Sequence, residues 1–173
     1  MLLLLIIIIC TWIPEYRGYG VCIHIQFFTC SSKFWEGNDL TIVSYGSTFN
    51  ICEVAAQQLS ELGIDVELID VQTLLPFDIE HMISDSLEKT NRLLIVDEDV
   101  SSGATAYMLD KILVEQKGYY HLDSAPETLS SKDHRPAYGS DGDYFSKPNL
   151  EDIVEKAYTI MHESNPEQFP SIY

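Results

Sequence analysis

Short apolar runs alternate with segments of helical spacing between residues 37 and 164. The runs DLTIVSY, IDVELIDV and NRLLIVDED predict three buried strands, and a weaker strand is predicted at Glu127–Ser130. The helical segments are STFNICEVAAQQLSELG, a short helix ending at Leu87, GATAYMLDKILVEQK and LEDIVEKAYTIMHE. Strands that are apolar on both sides and alternate with helices are typical of a parallel sheet covered on both faces. The pattern therefore predicts an α/β domain with three layers, α/β/α, and a mostly parallel sheet of about five strands.

Polar residues and glycines mark the expected ends of these helices. The expected helix starts are Ser47 or Thr48, Asp78, Ser101 or Ser102, and Asn149. Gly63 and Gly118 are the expected stops, because glycine adopts the left-handed conformation easily. The segment SKDHRPAYGSDGDYFSKPN is expected to be a long loop, and its part from His134 to Lys147 has no assigned role.

The two ends of the chain differ from this central domain. Residues 1–36 begin with MLLLLIIIIC, an apolar run about half as long as the roughly 20 residues of a membrane helix. No basic region or small-residue cleavage site of a signal peptide accompanies this run. Three interpretations stay open: a membrane or export segment, a native strand-rich extension, and a mistaken start or artefact, which we favour. At the other end, Pro166 and Pro170 predict an irregular tail over residues 165–173.

Charge narrows the classes of partner. The chain has 27 acidic and 10 basic side chains, a net charge of −17 and a pI of about 4.4. Such a surface repels nucleic acid and attracts a basic protein module, although carboxylates can also serve solubility alone. A membrane partner is not expected. The four cysteines have no C-x-x-C spacing, which fits a reducing cytoplasm, and Cys52 is expected to be a small buried hydrophobe.

Candidate chemistry lies at the predicted carboxyl ends of the strands, where ligands bind in open α/β sheets. The turn YGST leads into a helix, so Gly46, Ser47 and Thr48 form a possible anion site. The alternative is a tight turn that lets the helix pack on the sheet, and YGST matches neither common glycine-rich nucleotide motif. Asp70 and Gln72 end the second strand in the same region.

Three consecutive carboxylates, Asp97, Glu98 and Asp99, end the third strand. A hard cation or acid–base chemistry would use such residues, but neighbours along an extended chain point to opposite sides. A solvated loop or an acidic patch for a partner is therefore favoured. The histidines have no zinc-ligand spacing, and His134 with Arg135 is either an anion contact or a solvated pair. We assign no catalytic, cofactor-binding or metal-binding residue.

Four segments carry a family resemblance when taken in order: EGNDLTIVSYGST, VELIDVQTLLPFD, EKTNRLLIVDED and FSKPNLEDIVEKA. Together they resemble the C-terminal, transketolase-type domain of the β subunit of 2-oxo acid dehydrogenases, over about Glu36–His162. The chain departs from the family in the loop HRPAYGSDGDYFSK, which replaces a proline-rich segment, and in a longer tail.

The resemblance implies a part of a thiamine-diphosphate-dependent enzyme that oxidatively decarboxylates a 2-oxo acid and transfers the acyl group to lipoamide. In that family the upstream domains hold thiamine diphosphate and magnesium, so this chain alone is expected to bind neither and to be inactive. The implied partners are an α subunit or upstream domains, a second β subunit and the basic binding module of the dihydrolipoyl acyltransferase. Asp97, Glu98 and Asp99 are the candidate docking residues. Rival readings are another thiamine enzyme, such as transketolase or deoxyxylulose-phosphate synthase, and a free-standing anion-binding module.

Overall fold

A five-stranded sheet forms the centre of the computed structural model, which describes residues 30–135, 138–139 and 141–171. The strands are β1 (Ser31–Trp35), β2 (Leu40–Ser44), β3 (Val66–Val71), β4 (Leu93–Val100) and β5 (Glu127–Ser131). Their order across the sheet is β1-β3-β2-β4-β5, with β1 antiparallel to β3 and all other pairs parallel. The expected mostly parallel sheet of about five strands is confirmed.

Helices cover both faces of the sheet. They are α1 (Gly46–Glu61), α2 (Met82–Thr90), α3 (Ala104–Leu109), α4 (Gly142–Ser146) and α5 (Leu150–Ser164). On one face α1 and α5 bury Phe49, Cys52 and Ile153 against Leu68 and Leu94 of the sheet. On the other face α2 and α3 bury a second cluster, which includes Ile83, Met108, Ile69 and Ile95. The three-layer α/β/α architecture is therefore confirmed.

Central strand β2 shows why this sequence selects a parallel sheet. All five of its residues are buried, because a strand between two helical layers has no solvent face. Cys52 packs beneath it on α1 and is fully buried, as expected for a small hydrophobe. Burial raises the pKa of the Cys52 thiol to about 12, so it stays protonated and unreactive.

Edge strand β1 lies within the segment that the sequence reading set apart as residues 1–36. Ser31 pairs with Val71 and Lys33 with Ile69, so the sheet already begins before Gly37. The division at residue 36 stays a prediction for the earlier residues, since 1–29 lie outside the described residues. Within the described part, no helix is long and apolar enough to cross a membrane.

Several helix ends differ from the sequence expectation. Tyr45, not Ser47 or Thr48, occupies the capping position of α1, because Gly46 turns the chain with φ +62°. Asp78 does receive the backbone N–H groups of Met82 and Ile83 at 3.1 and 3.0 Å, as expected for the start of α2.

The helix after β4 is the largest departure from the predicted elements. Neither Ser101 nor Ser102 caps it, and Gly103 precedes its first residue instead. From Asp110 to Glu115 the helix continues with π-helical spacing, and Lys117, two residues beyond its end, adopts the left-handed conformation expected of Gly118. Gly118 is instead required for packing, since a Cβ there would lie 2.8 Å from the carbonyl oxygen of Ile112.

The segment between β5 and α5 is not the uninterrupted loop that was expected. It contains the short helix α4, whose end is joined to the end of β5 by the bond from Lys132 N–H to the Ser146 carbonyl, at 2.9 Å. Asn149 then caps α5 as expected, in a reciprocal capping box with Asp152. Residues 165–171, beyond α5, form no further helix or strand, but Phe169 is buried and packs in the core beside α5.

Candidate docking site at the carboxyl end of the sheet

The carboxyl ends of β2, β3 and β4 meet at one edge of the sheet because these strands are parallel. The turn from Tyr45 to Ser47 follows β2, Asp70 lies near the end of β3, and Asp97–Asp99 lie within β4. The acidic residues are thus part of a strand rather than the loop after it. All three features that the sequence placed at strand ends are found at this edge.

The three consecutive carboxylates of β4 do not converge on one point. Asp97 is 1% exposed, and its Oδ1 accepts the Asp99 N–H at 3.1 Å. Glu98 and Asp99 are both exposed, because the pairing of β4 with β5 shifts register between Val96 and Val100. Asp97 therefore cannot contact a partner protein, and it is corrected as a docking candidate. Glu98 and Asp99 remain.

Tyr45 lies next to the buried Asp97 at the start of α1. Burial, together with the Asp97 carboxylate, raises the pKa of the Tyr45 hydroxyl above its usual range. The hydroxyl therefore stays protonated at neutral pH. Tyr45 and Asp97 are thus paired in the interior of the strand end, whereas Glu98 and Asp99 are exposed.

Glu98 connects several elements at this edge. Its carboxylate accepts from Lys147 Nζ at 3.1 Å and interacts with the Ser47 hydroxyl, and its backbone carbonyl accepts from the Ser131 hydroxyl. Lys147 and then Ser47 hold the pKa of Glu98 below its usual value. Lys147 lies three residues before α5, so the segment that leads into α5 reaches the end of β4.

Further exposed carboxylates extend this acidic region. Lys147 also lies near Asp143, and the Tyr144 hydroxyl donates to Glu151 at 2.6 Å. We call Glu98, Asp99, Asp143 and Glu151 the strand-end acidic surface. Among the described residues, no lysine or arginine forms an ion pair with Asp99 or Glu151.

The possible anion site at Gly46, Ser47 and Thr48 is not the open helix N-terminus that the sequence suggested. Thr48 is buried, and Ser47 contacts the Glu98 carboxylate. The chain's own negative charge thus already lies at the N-terminus of α1, where a free anion would be repelled. This geometry favours the tight-turn alternative.

The remaining candidates pair locally. Gln72 Nε2 donates to Asp70, and burial raises the pKa of Asp70. His134 lies against the Phe145 ring, and Arg135 lies against the Tyr138 ring. No group of three or more His, Cys, Asp or Glu side chains is placed to hold a metal ion among the residues that the structure describes.

The sequence of this domain also matches a known protein family. Residues 33–151 match the family model described as the transketolase C-terminal domain. The chain belongs to this family. The match begins at Lys33, inside β1, in agreement with the position of that strand in the sheet.

Two curated relatives specify the resemblance further. The domain is 35% identical over 127 residues to the pyruvate dehydrogenase E1 component subunit beta of Mesostigma viride. It is 44% identical over 101 residues to the acetoin:2,6-dichlorophenolindophenol oxidoreductase subunit beta of Bacillus subtilis. These matches cover 73% and 58% of this chain, but only 38% and 29% of the relatives. The recognised similarity to the C-terminal domain of a 2-oxo acid dehydrogenase β subunit is confirmed.

A solved structure supports the fold. The inactive β4 tetramer of a split-gene transketolase superposes with a TM-score of 0.61 and 22% identity, over 76% of this chain and 41% of that one. At this identity the likeness shows the fold alone.

Sequence reasoning missed the residues that organise the site. Lys147 lies in a segment without periodic pattern, and only the folded chain brings it to Glu98, 49 positions away. The burial of Asp97 beside two exposed carboxylates carries no composition signal. The strand alternation did predict that the three carboxylates would diverge.

Proposed function

We propose that this domain serves as the C-terminal subunit-association and docking domain of a thiamine-diphosphate-dependent 2-oxo acid dehydrogenase β subunit. The intact enzyme would oxidatively decarboxylate a 2-oxo acid and transfer the acyl group to lipoamide. Its partners would be an α subunit or upstream domains, a second β subunit and the basic binding module of the dihydrolipoyl acyltransferase. The similarity to pyruvate dehydrogenase β subunits carries this proposal.

The strand-end acidic surface supports the docking part of the proposal. Asp99 and Glu151 are exposed carboxylates without a basic partner among the described residues, on a chain with net charge −17. Basic side chains of a partner would meet these carboxylates without first breaking an existing ion pair. Such charge complementarity raises the association rate and makes the affinity sensitive to salt.

The strand-end site does not fit thiamine diphosphate. A diphosphate needs cations or free backbone N–H groups, whereas Glu98 lies at the N-terminus of α1, which is the helix end nearest the strand ends. We therefore place cofactor binding in the part of the enzyme that this chain does not span. The same carboxylate weakens the alternative of a free-standing anion-binding module.

Charge reversal on the strand-end acidic surface tests docking. The double variant Asp99→Lys, Glu151→Lys is expected to weaken binding of the acyltransferase's basic module about tenfold or more, because each change replaces attraction by repulsion. The measurement is isothermal titration calorimetry of the full chain with the isolated module at low salt. Wild-type binding is expected to be micromolar or tighter and to weaken as salt is added.

A matched control separates docking from net charge. Glu61→Lys changes the net charge as much as the single variant Asp99→Lys does, and Glu61 is exposed at the opposite end of α1, away from the strand ends. We expect its affinity to stay within about twofold of wild type. Absence of any heat with the wild-type chain at low salt would contradict the docking proposal.

Cofactor titration tests the assignment of a non-catalytic role. The full chain, titrated with thiamine diphosphate and Mg²⁺ in a calorimeter, is expected to give no saturable heat, because its strand ends present carboxylates rather than cations. An intact pyruvate dehydrogenase is the positive control. Saturable binding by this chain would overturn the assignment of the cofactor to other domains.

A further inference from the structure

Most basic side chains of this acidic chain are already paired with carboxylates. Six of the nine lysines and arginines in the described residues form ion pairs. The three others are Lys117, Lys132 and Arg135, and two of these lie only three residues apart. Lys132 and Arg135 therefore form a small positive region on a chain whose net charge is negative.

Aromatic rings, not carboxylates, accompany these two cations. Lys132 Nζ lies 4.1 Å from the centre of the Phe145 ring, and His134 lies 5.6 Å from the same ring, centre to centre. The Arg135 guanidinium lies 4.8 Å from the centre of the Tyr138 ring. We call Lys132, His134, Arg135 and Phe145 the cation–aromatic patch. A ring face attracts a cation without neutralising it, so the charges remain available to a ligand.

Backbone hydrogen bonds hold this patch in place. The Lys132 N–H donates to the Ser146 carbonyl at 2.9 Å, and the His134 N–H donates to the Lys132 carbonyl at 2.7 Å. Phe145 lies on α4, where its N–H donates to the Asp141 carbonyl at 3.1 Å. The end of β5 and α4 thus present the ring and the lysine together, which lowers the entropy cost of binding.

Phe145 is one of several large apolar side chains that the domain exposes, and its ring lies beside basic side chains. It is 60% exposed and belongs to neither core cluster of the domain. An exposed ring flanked by cations combines apolar contact area with positive charge. This combination fits a partner that presents carboxylates beside an apolar side chain.

We propose that the cation–aromatic patch binds an acidic peptide segment of a partner protein. Nucleic acid is a poorer ligand, because a polyanion would meet the net charge of −17 over the rest of the surface. A second copy of the chain is the competing occupant, and the sedimentation measurement described below tests it. A short peptide with a few carboxylates avoids this repulsion, and Asp133 within the patch limits the number of carboxylates that it accepts.

This site does not depend on the proposed function. The strand-end acidic surface offers carboxylates to a basic module, whereas the patch offers cations to an acidic segment. Lys147 is not part of the patch, because it is paired with Glu98 and is not available to an acidic ligand. Loss of peptide binding and loss of module binding can therefore be observed separately.

Fluorescence anisotropy with a labelled peptide of alternating glutamate and leucine tests the site on the full chain at low salt. Wild-type protein is expected to bind this probe saturably, and a peptide with glutamine in place of glutamate at least about tenfold more weakly. The double variant Lys132→Gln, Arg135→Gln is expected to lose about tenfold or more in affinity for the acidic probe. Phe145→Leu keeps an apolar side chain but removes the ring, and about a threefold loss is expected.

Lys117→Gln is the matched control, because it removes the one other unpaired basic side chain of the described residues. Lys117 follows the π-helical segment and is exposed. Its affinity for the acidic probe is expected to stay within about twofold of wild type. Equal losses in Lys117→Gln and in the double variant would overturn the proposal, as would equal binding of the glutamine peptide. A dimer in sedimentation that the double variant abolishes would assign the patch to contacts between copies and would also overturn it.

Discussion

Replacing Glu67 with glutamine is expected to lower the free energy of unfolding by about 2 kcal/mol, because two partly exposed lysines lose the buried carboxylate that they share. The Glu67 side chain is 0% exposed on β3. Its Oε1 lies 2.8 Å from Lys33 Nζ of β1, and its Oε2 accepts from Lys89 of α2. Urea unfolding followed by circular dichroism measures the change.

Hydrogen bonds to the Glu67 carboxylate offset the cost of its burial. Burial alone would raise the pKa of Glu67, but hydrogen bonds from Lys33, Lys89 and Ser86 outweigh burial and lower the pKa. Next to it, the Thr41 hydroxyl is bonded to the hydroxyls of Ser86 and Thr90 at 2.7 and 2.6 Å. The ion network thus joins the edge strand, the central sheet and α2.

The sign of the pKa shift gives the pH dependence. Because the pKa of Glu67 is lowered in the folded state, its contribution is complete above the unfolded value, about 4.3, and is lost as pH falls through the folded value. The difference between wild type and Glu67→Gln should therefore be largest at neutral pH and shrink in acid. Glu127→Gln is the control, since it breaks a partly exposed pair with Lys156 and should cost less than about 1 kcal/mol. Coincident unfolding curves for Glu67→Gln and wild type would contradict the assigned role.

Glu67 also shows what the sequence can and cannot predict. The run around it predicts a strand, and the parallel order of β2, β3 and β4 follows from strands that are apolar on both faces. The ion network was not predicted, because Lys33 belongs to a segment whose composition set it apart from the domain. Periodicity reports which face of an element is buried, whereas the partner of a buried charge is chosen by the tertiary fold.

At the acidic strand end, too, the sequence predicts the position of the charges but not their partners. Sequence placed Asp97, Glu98 and Asp99 at the carboxyl edge of the sheet, and the structure confirms this position. Their separate roles depend on a register shift and on Lys147, which arrives from the segment before α5. One carboxylate is buried, one is paired and one is exposed. Docking chemistry is therefore expected from fewer residues than the acidic run alone indicates.

Gly37→Ala is expected to destabilise the domain by about 3 kcal/mol, because the added methyl group has no space. A Cβ at Gly37 would lie 2.2 Å from the carbonyl carbon and 2.3 Å from the carbonyl oxygen of Val66. Both are backbone atoms at the start of β3, so no side-chain rotation relieves the clash. Thermal and urea unfolding measure the loss.

Gly63→Ala is the matched control for this prediction. Gly63 has φ +81° but no atom within 4 Å of an added Cβ, so only the conformational preference of glycine is lost. That preference is worth about 1 kcal/mol. Equal losses at the two glycines would show that close packing at Gly37 contributes nothing beyond backbone freedom.

Gly37 and Glu67 are also expected to act together. The Gly37 N–H donates to Glu67 Oε2 at 3.3 Å, and the next two residues donate their N–H groups to the Asp65 carbonyl. Moving Gly37 away from Val66 therefore removes one donor from the buried carboxylate. The double variant Gly37→Ala, Glu67→Gln should lose less than the sum of the single losses, by about 0.5 kcal/mol or more. Strict additivity would mean that the entry into β2 and the ion network are independent, although they share a hydrogen bond.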